Sequence, residues 1–505
     1  MCFDELLLPL GLYCPKELYR VKVSKITTDS RKAEENSIFI CVCGSSDDGH
    51  DHVDEAIRRG SRVIVAEKVR NECVGGAALL LVDNTRRIAS LLYNLFYKDP
   101  VSKMKFIGIT GTNGKTSVSF ALLKILEVAG YKTGLIGTLG DLSCDRRVID
   151  RSGNMTTPDP EALYSALAEM ADDGVEYVIV EVSSHALSQE RVAPIVFDVA
   201  IFTNLSEEHL DYHNDMEDYY KAKEKLFLQS KSAVINIDDS AGKRLYSFLD
   251  GQELLKKSCS RKEGDFCALD AKSTESGTEY LLLENNDKCN AYSVRLGALG
   301  DFQVMNSLEA LATARLCGVD ISTAISALSK TEAPMGRLEK ISTPCDDISV
   351  FVDYAHTPKA LEALLKSVRA IIPRYSRIIL LFGCGGDRDK GKRKIMGQIA
   401  SRLADLTVVS SDNPRGEDPK DIIKEILKGI DKEKEFAVIE SRREAILAAI
   451  TYYARKGDTV ILAGKGHENY EITASGKRPF DERGIAREAL LVRAINGRKG
   501  RRNEG

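Results

Sequence analysis

The chain has 505 residues, 43% hydrophobic and 29% charged, a composition typical of a globular protein with roughly two to four domains. Its 71 basic and 75 acidic residues give a net charge of -4, which argues against a role centred on nucleic acid. The apolar runs are too short to span a membrane and the 12 cysteines have no repeated spacing, so we expect a cytoplasmic protein with no membrane or nucleic-acid partner.

Residues 1–102 predict a small N-terminal α/β domain. Short β-rich runs alternate with helical patterns: the expected strands are SIFICVCG, SRVIVAE and AALLLVD, and the expected helices are VDEAIRRG and RIASLLYNLFY. Cys41 and Cys43 fall in the first of these runs and are interpreted as part of a buried strand. A proline among polar residues in YKDPVSKMK then places a domain boundary near residue 102.

Residues 103–335 predict a central domain with a mostly parallel sheet of the phosphate-loop (P-loop) type. The pattern opens as strand, glycine loop and helix: KFIGIT, GTNGKT and SVSFALLKILEVAG, with Gly130 as the terminating glycine. Further strands are expected at EYVIVEV, FDVAIFTNL and SAVINID. Residues 301–319 predict a long amphipathic helix.

Residues 336–505 predict a C-terminal domain with a Rossmann-like, doubly wound sheet. The expected strands are ISVFVDYA, SRIILLFG, ADLTVVSS and GDTVILAG, each followed by a polar, glycine-bearing or acidic loop. Because ligands of open α/β sheets bind beyond the carboxyl ends of the strands, these four loops together predict a binding site.

The loop GTNGKT predicts a phosphate-binding site. The strict pattern G-x-x-x-x-G-K-[ST] fails, because Ile109 stands where its first glycine belongs. Backbone N–H groups and the helix N-terminus can still hold an anion, with Lys115 at the β/γ-phosphates and the Thr116 hydroxyl on Mg²⁺. The alternative is a glycine-rich turn without a ligand. The predicted ATP-binding residues of the loop are Gly111, Thr112, Asn113, Gly114, Lys115, Thr116 and Ser117.

Acidic and histidine side chains follow two other central strands. Glu181 ends one strand where a carboxylate can reach the same Mg²⁺, although alone it is as often a surface acid. The second strand is followed by His209, Asp211 and His213. Because Mg²⁺ prefers oxygen ligands, a histidine ligand needs oxygen-rich neighbours. Lys223 lies among Lys221 and Lys225 and, by itself, suggests a solvated helix face.

Several motifs occur in a fixed order along nearly the whole chain, from about residue 27 to residue 472. They are TTDSR, TGTNGKT, TTPD, EVSSHAL, TNLSEEHLDYH, AKEKLF, MGRLE, VDYAHTP, FGCGGDRDKGKR, DNPR and AGKGHE. Each is weakly specific alone, but together they resemble the Mur ligase family of cell-wall peptide synthetases.

The resemblance implies an ATP-dependent amide ligase with Mg²⁺. ATP phosphorylates a substrate carboxylate, and an amine then displaces phosphate from the acyl phosphate. The implied catalytic residues are Lys115, Glu181, His209 and Lys223. Thr116 and Glu181 would serve one metal, and His209 with Lys223, carrying a carbamate, would serve the second.

The resemblance also implies two substrates, a UDP-N-acetylmuramoyl-dipeptide and meso-diaminopimelate, because DNPR accompanies diaminopimelate addition in this family. Arg415 could instead be a surface residue in a turn begun by Pro414. The implied diaminopimelate-binding residues are Arg388, Asp412, Asn413, Pro414, Arg415, Gly464 and Glu468.

The remaining implied contacts involve the nucleotides and the peptide. The UDP end would meet Thr28, Ser30, Ser45, Ser46 and Asp47, and the peptide end would meet Thr156, Thr157, Ser183, Gln189 and Arg191. Met155 stands where the family often has asparagine. Asn306 and Arg337 are expected near adenine and Asp353 near ribose; Asn306 could also be a helix N-cap.

Three other functions remain open at this stage. They are a sister ligase that adds another amino acid or polyglutamate, an ATPase or kinase that forms no amide, and a catalytically silent nucleotide-binding protein. We expect a monomer whose domains move, because ATP and the amino acid bind to different domains.

Overall fold

The computed structural model describes residues 1–44, 47–68, 76–149, 155–208, 212–274, 277–285 and 287–502. Its first sheet has four parallel strands in the order β1-β2-β3-β4, which confirms the small N-terminal α/β unit. The elements are α1 (Phe3–Leu7), β1 (Ile26–Thr27), β2 (Ser37–Ile40), α2 (Val53–Arg58), β3 (Ser61–Ala66), β4 (Ala78–Leu81) and α3 (Thr85–Phe96).

The expected strand through Cys41 and Cys43 is shorter than predicted. β2 ends at Ile40, Cys41 is buried beyond it, and Cys43 is exposed. Cys41 still donates its backbone N–H to the Val65 carbonyl (2.8 Å), whereas Cys43 pairs with Asp48 in an isolated bridge outside the sheet. The interpretation of Cys43 as a buried strand residue was therefore wrong.

The second sheet forms the central domain and is parallel in its middle and antiparallel at both edges. Its strand order is β15-β14-β13-β12-β11-β10-β5-β9-β6-β7-β8, with the parallel pairs running from β13 to β6. This confirms the mostly parallel sheet, and the antiparallel strands β13–β15 were not predicted. The elements are β5 (Lys105–Thr110), α4 (Lys115–Val128), β6 (Thr133–Gly137), β7 (Gly140–Leu142), β8 (Val148–Ile149), α5 (Pro160–Asp172), β9 (Tyr177–Glu181), α6 (Ser184–Ser188), β10 (Val199–Phe202), α7 (Met216–Leu228), β11 (Ser232–Asn236), α8 (Ser240–Phe248), β12 (Leu255–Ser260), β13 (Phe266–Thr274), β14 (Gly277–Glu284), β15 (Asp287–Leu296), α9 (Phe302–Leu316) and α10 (Ile321–Ser329).

Helix α9 is buried on nearly all sides, which contradicts the predicted amphipathic helix. It packs against α4 and α10 on one side and against strands β11, β12 and β13 on the other. A helix enclosed in this way needs no polar face. It nevertheless contains Glu309, which is fully buried, and neither carboxyl oxygen has a hydrogen-bond partner in the described part of the chain.

Burial raises the pKa of Glu309 well above its ordinary value, so the folded protein keeps a proton that the unfolded chain loses. The free energy of unfolding is therefore highest below the pKa that Glu309 has in the unfolded chain. It falls as the pH rises from there through the pKa that Glu309 has in the folded protein. We expect Glu309→Met to raise the thermal midpoint, and to raise it more at about pH 8 than at about pH 5. The exposed Glu263→Met is the control, and an equal effect at both pH values would contradict this account.

The third sheet forms the C-terminal domain, with the order β16-β17-β21-β18-β19-β20, parallel except for β16. Helices cover both faces over separate apolar cores, as a doubly wound sheet requires. The elements are β16 (Glu339–Lys340), β17 (Ser349–Asp353), α11 (Pro358–Ile371), β18 (Ile378–Phe382), α12 (Gly391–Leu403), β19 (Leu406–Val409), α13 (Pro419–Leu427), β20 (Glu435–Val438), α14 (Arg442–Ala448), β21 (Thr459–Ala463), β22 (Tyr470–Thr473), β23 (Gly476–Pro479) and α15 (Glu482–Arg502).

The three large sheets fall one in each of the three predicted domains, whose borders at 102 and 335 stay predictions, and a two-stranded sheet of β22 and β23 also lies in the C-terminal one. The first two domains share one apolar core, and the Ser90 hydroxyl donates a hydrogen bond of 2.7 Å to the carbonyl of Glu190 across them. Within the described ranges, no helix has the length and apolar character needed to cross a membrane.

Candidate active site

The glycine loop lies between the central strand β5 and helix α4. Gly111 and Gly114 have positive φ values of 147° and 91°, which glycine adopts at little cost. A Cβ at Gly111 would lie 1.9 Å from the Thr203 hydroxyl oxygen, so the loop fits closely against the end of β10. The Lys115 ammonium donates to the carbonyls of Gly111 (2.8 Å) and Thr112 (3.0 Å). Lys115 thus places a positive charge directly over the loop.

Glu181 is fully buried, which excludes the reading of a surface acid at a strand end. Its carboxylate accepts hydrogen bonds from the hydroxyls of Thr138 (2.8 Å), Thr116 (3.1 Å) and Ser119 (3.2 Å). These oxygens fit Mg²⁺, which usually takes one or two carboxylates and completes its shell with water and substrate phosphate. Among the described residues no group of three His, Cys, Asp or Glu forms a ready-made metal cage.

Lys223 is buried, whereas its neighbours Lys221 and Lys225 are half exposed, which corrects the expectation of a solvated lysine face. Its ammonium donates to the carbonyl of Gly111 (3.1 Å) and lies 4.5 Å from the ring centre of Tyr219. Burial, reinforced by the charge of Lys115, holds the pKa of Lys223 well below its ordinary value. Lys223 is therefore predisposed to be a neutral amine beside the loop.

The predicted metal ligand His209 lies outside the described residues, and so does Asp211. His213 is described and buried, with its Nε2 2.9 Å from the Ser184 hydroxyl. That contact suits a structural histidine, so the structure gives no support to His213 as a ligand.

Asn306 lies one turn inside α9, so the alternative that it caps this helix is wrong. Its Oδ1 is close enough to Gly114 that a Cβ there would approach to 2.7 Å. Arg337 reaches from the C-terminal segment to the loop, with Nη2 3.4 Å from the Thr116 hydroxyl and its guanidinium 4.7 Å from the ring centre of Tyr354. The ends of two domains therefore meet at the phosphate loop.

Asp353, expected near ribose, ends β17 and is buried. Its carboxylate accepts backbone hydrogen bonds of 2.7 Å from Leu338 and from Ala355. Burial raises the pKa of Asp353, while the charge of Arg337 opposes the shift. The Asp353 carboxylate therefore also holds the backbone at Leu338, the residue after Arg337.

The predicted UDP-binding residues lie in the first domain. Thr28 is exposed, Ser30 is buried with its hydroxyl 2.6 Å from a Glu55 carboxylate oxygen, and Asp47 pairs with His52 at 2.9 Å. Ser45 and Ser46 lie outside the described residues.

The predicted peptide-binding residues form one hydrogen-bonded strip that ends at Glu181. Thr157 donates from its hydroxyl to the Glu181 carbonyl (2.7 Å), and Arg191 donates to the carbonyl of Thr157 (2.7 Å) and to the side chain of Gln189 (2.7 Å). Ser183 donates its backbone N–H to Thr157 Oγ1 (3.0 Å).

The rest of this strip is formed by Thr156 and Met155. The Thr156 hydroxyl lies 3.1 Å from that of Thr138, which in turn bonds to Glu181. The sulfur of Met155 lies 3.3 Å from an Arg191 nitrogen. Met155 therefore contacts the strip through Arg191.

A cavity of about 740 Å³ joins the C-terminal loops to the central domain. Six of the seven predicted diaminopimelate-binding residues line it: Arg388, Asp412, Asn413, Arg415, Gly464 and Glu468. The seventh, Pro414, lines a different cavity on the other side of the loop. Glu207 and Glu208 line the opposite wall from the central domain, and Glu208 lies 3.3 Å from His356 Nε2.

Arg415 is half-buried and its guanidinium donates to the Gly386 carbonyl (2.8 Å), so it is more than a surface turn residue. Asp412 is buried, and burial alone would raise its pKa, but the charges of Lys465 and Arg442 outweigh this and hold it below the ordinary value. Burial, with the nearby charge of Asp412, raises the pKa of Glu468.

Two buried cations that sequence reasoning missed support these loops. Arg393 is fully buried and donates to the Gly385 carbonyl (3.1 Å) and to Glu417 (2.9 Å) and Glu425 (2.8 Å). Lys465 is also fully buried, beneath DNPR. Their only sequence signal is a charged residue inside the motifs GGDRDKGKR and AGKGHE.

Comparison with known proteins identifies the family. A model described as the Mur ligase middle domain matches residues 109–314, and one described as Mur ligase, glutamate ligase domain matches residues 336–466. The UDP-N-acetylmuramoyl-L-alanyl-D-glutamate--2,6-diaminopimelate ligase 1 of Clostridium acetobutylicum is 40% identical over 471 residues, covering 93% of this chain and 95% of that protein. The chain belongs to the Mur ligase family.

Two further Mur ligases are similar over nearly their full lengths. The 2,6-diaminopimelate ligase of Caldanaerobacter subterraneus subsp. tengcongensis is 41% identical, covering 93% of this chain and 95% of that protein. A solved structure of a UDP-N-acetylmuramoyl-L-alanyl-D-glutamate--2,6-diaminopimelate ligase is 29% identical with a TM-score of 0.69, covering 98% of this chain and 99% of the other. The predicted Mur ligase fold and the prediction of a ligase are confirmed.

Proposed function

We propose that this Mur ligase adds meso-diaminopimelate to the D-glutamate carboxylate of UDP-N-acetylmuramoyl-L-alanyl-D-glutamate, consuming ATP with Mg²⁺ and releasing ADP and phosphate. The names of its relatives support these substrates. The observation that carries the proposal is the single cavity in which DNPR, GGDRD and AGKGHE face Glu208. Ser206 lines the same cavity, and its backbone N–H donates to the Thr112 hydroxyl of the glycine loop (2.9 Å), so the cavity and the loop are adjacent.

The reaction needs activation because a carboxylate repels nucleophiles. Transfer of the terminal phosphoryl group of ATP to a carboxylate oxygen removes that charge and gives an acyl phosphate and ADP. The amine nitrogen then attacks the carbonyl carbon, phosphate leaves with the bonding electron pair, and the amine loses a proton. Lys115 and Arg337 are proposed to balance the negative charge on the transferred phosphoryl oxygens.

Bound Mg²⁺ would neutralise the converging phosphate and carboxylate charges. Thr116 and Glu181 are proposed to hold one ion, supported by their 3.1 Å hydrogen bond within an oxygen-rich group. His209 and Lys223 are proposed to hold a second ion, with Lys223 supplying oxygen as a carbamate.

Each domain is proposed to hold one part of the reactants. Residues 1–102 would bind the UDP end, residues 103–335 ATP and the peptide, and residues 336–505 the incoming amino acid. The strip through Thr157 and Arg191 ends at Glu181, so a peptide along it would point its carboxylate towards the phosphate loop. The family resemblance implies an asparagine at the position of Met155, and we propose that Arg191, which Met155 contacts, makes the polar contact instead.

We also propose a monomer in the cytoplasm, where ATP and a reducing environment are available. Cys14, Cys259, Cys267 and Cys384 are buried thiols outside any disulfide, which supports this location.

The test is phosphate release from ATP, Mg²⁺ and UDP-N-acetylmuramoyl-dipeptide, with meso-diaminopimelate, with L-lysine, or with no amine. We expect release with diaminopimelate and a product heavier by one residue. Release with lysine alone would overturn the specificity, and release without any amine would indicate a plain ATPase. Inactivity with both amines would point to a sister ligase.

A carbamate on Lys223 would be visible by ¹³C NMR in buffer containing ¹³C-bicarbonate. The depressed pKa of Lys223 supports a neutral amine that can add CO₂. We expect a carbamate signal in the wild type and in Lys221→Ala, which replaces a half-exposed lysine. Lys223→Ala should lose both the carbamate signal and the ligation activity. A signal that persists in Lys223→Ala would exclude this site.

A further inference from the structure

Lys465 is the buried centre of the amino-acid cavity wall. It follows β21, is fully buried, and is not among the residues that line the cavity. Its ammonium donates to Asn413 Oδ1 (3.0 Å) and to the Tyr470 carbonyl (3.0 Å). It also lies 3.3 Å from an Asp412 carboxylate oxygen and 3.8 Å from one of Glu468. One cation thus contacts three of the side chains that line the cavity.

These contacts fix the orientation of the Asn413 amide. Its oxygen accepts from Lys465 and also from the backbone N–H of Ile472 (2.9 Å). Two donors on one side require the oxygen there, so the amide nitrogen faces Glu468 and donates to it over 2.8 Å. Lys465 therefore determines, through Asn413, where the Glu468 carboxylate lies.

Lys465 is a single ammonium group in contact with two carboxyl groups, those of Asp412 and Glu468. The neighbouring Arg442 is already paired with Glu482 at 2.7 Å, and both are buried. A second ammonium group, brought by a substrate, would give Asp412 and Glu468 a second cationic partner.

We propose that Lys465 is a positioning residue that arranges Asp412, Asn413 and Glu468 to bind the far ammonium group of the incoming amino acid. The proposal rests on the proposed function, and it assigns a task to a residue that the substrate does not touch. Arg415 and Arg388 would bind the carboxylate at that same far end. Recognition of the far ammonium group and recognition of the far carboxylate can therefore be tested separately.

The test compares meso-diaminopimelate with 2-aminopimelate, which keeps the far carboxylate but lacks the far amine, in wild type and Lys465→Met. We expect the wild type to prefer diaminopimelate in kcat/KM, and the variant to lose at least about tenfold of that preference. The loss should appear mainly in KM. The preference for diaminopimelate over lysine, which reports on the far carboxylate, should persist.

A merely structural role would weaken both pimelates equally and leave their ratio unchanged, which would overturn the proposal. Lys424→Met, which removes an exposed lysine paired with Asp421, is the matched control. Should Lys465→Met not fold, Lys465→Gln keeps a hydrogen-bond donor without the charge, and the same ratio decides. If the wild type does not use diaminopimelate, the proposed function itself is refuted. If an active variant keeps the wild-type ratio of kcat/KM for diaminopimelate and 2-aminopimelate, only the role of Lys465 is refuted.

Discussion

Replacing Lys115 with alanine is expected to lower amine-dependent phosphate release by about 10²–10³-fold, the usual cost of removing one preorganised charge-stabilising donor. The ammonium group of Lys115 lies over the loop, held by the carbonyls of Gly111 and Thr112. Phosphoryl transfer gathers negative charge at this position, and Arg337 approaches the loop at Thr116, at 3.4 Å from its hydroxyl. Alanine is an excellent helix former, so α4 should still begin here.

The control is Lys124→Ala, towards the other end of the same helix, which should leave the rate unchanged. Both variants should unfold at similar temperatures. An intact ligation rate in Lys115→Ala would show that the loop does not serve phosphoryl transfer.

Replacing Arg415 with asparagine is expected to raise KM for diaminopimelate by about 10- to 150-fold. This factor corresponds to the free energy that hydrogen bonds to a charged group contribute. The guanidinium lines the cavity and donates to the Gly386 carbonyl (2.8 Å). Lysine has no far carboxylate, so its use should change little and the preference between the two amines should collapse. Asparagine is chosen because Arg415 has a positive φ of 52°, which asparagine tolerates.

Arg20→Asn is the matched control, because Arg20 has a similar φ of 60° in the first domain, far along the chain from this loop. Steady-state kinetics with both amines would give the ratio of kcat/KM values. An unchanged ratio in Arg415→Asn would mean that the far carboxylate is recognised elsewhere, with Arg388 as the next candidate.

Much of the fold was predictable because its signals are local. Strands β5, β9, β10 and β11 are continuous apolar runs, and the positive φ of Gly114 sets the start of α4 from within the loop. The antiparallel strands β13–β15 were missed, since their alternating pattern is weaker. The enclosure of α9 was also missed, because only packing against distant strands removes its polar face.

For the candidate site, the sequence alone determined which loops carry chemistry, because each motif places reactive side chains at a strand end. Tertiary structure decided which of those side chains are buried and which charges they meet. Lys223 is separated by 112 residues from the Gly111 carbonyl that it contacts, so no local pattern could distinguish it from Lys221 and Lys225. Lys465 and Arg393 are also fully buried, and no local pattern distinguishes them from exposed charged residues. Burial depends on neighbours from distant parts of the chain. It lowers the pKa of Lys223, and it strengthens the ion pairs that Lys465 and Arg393 form.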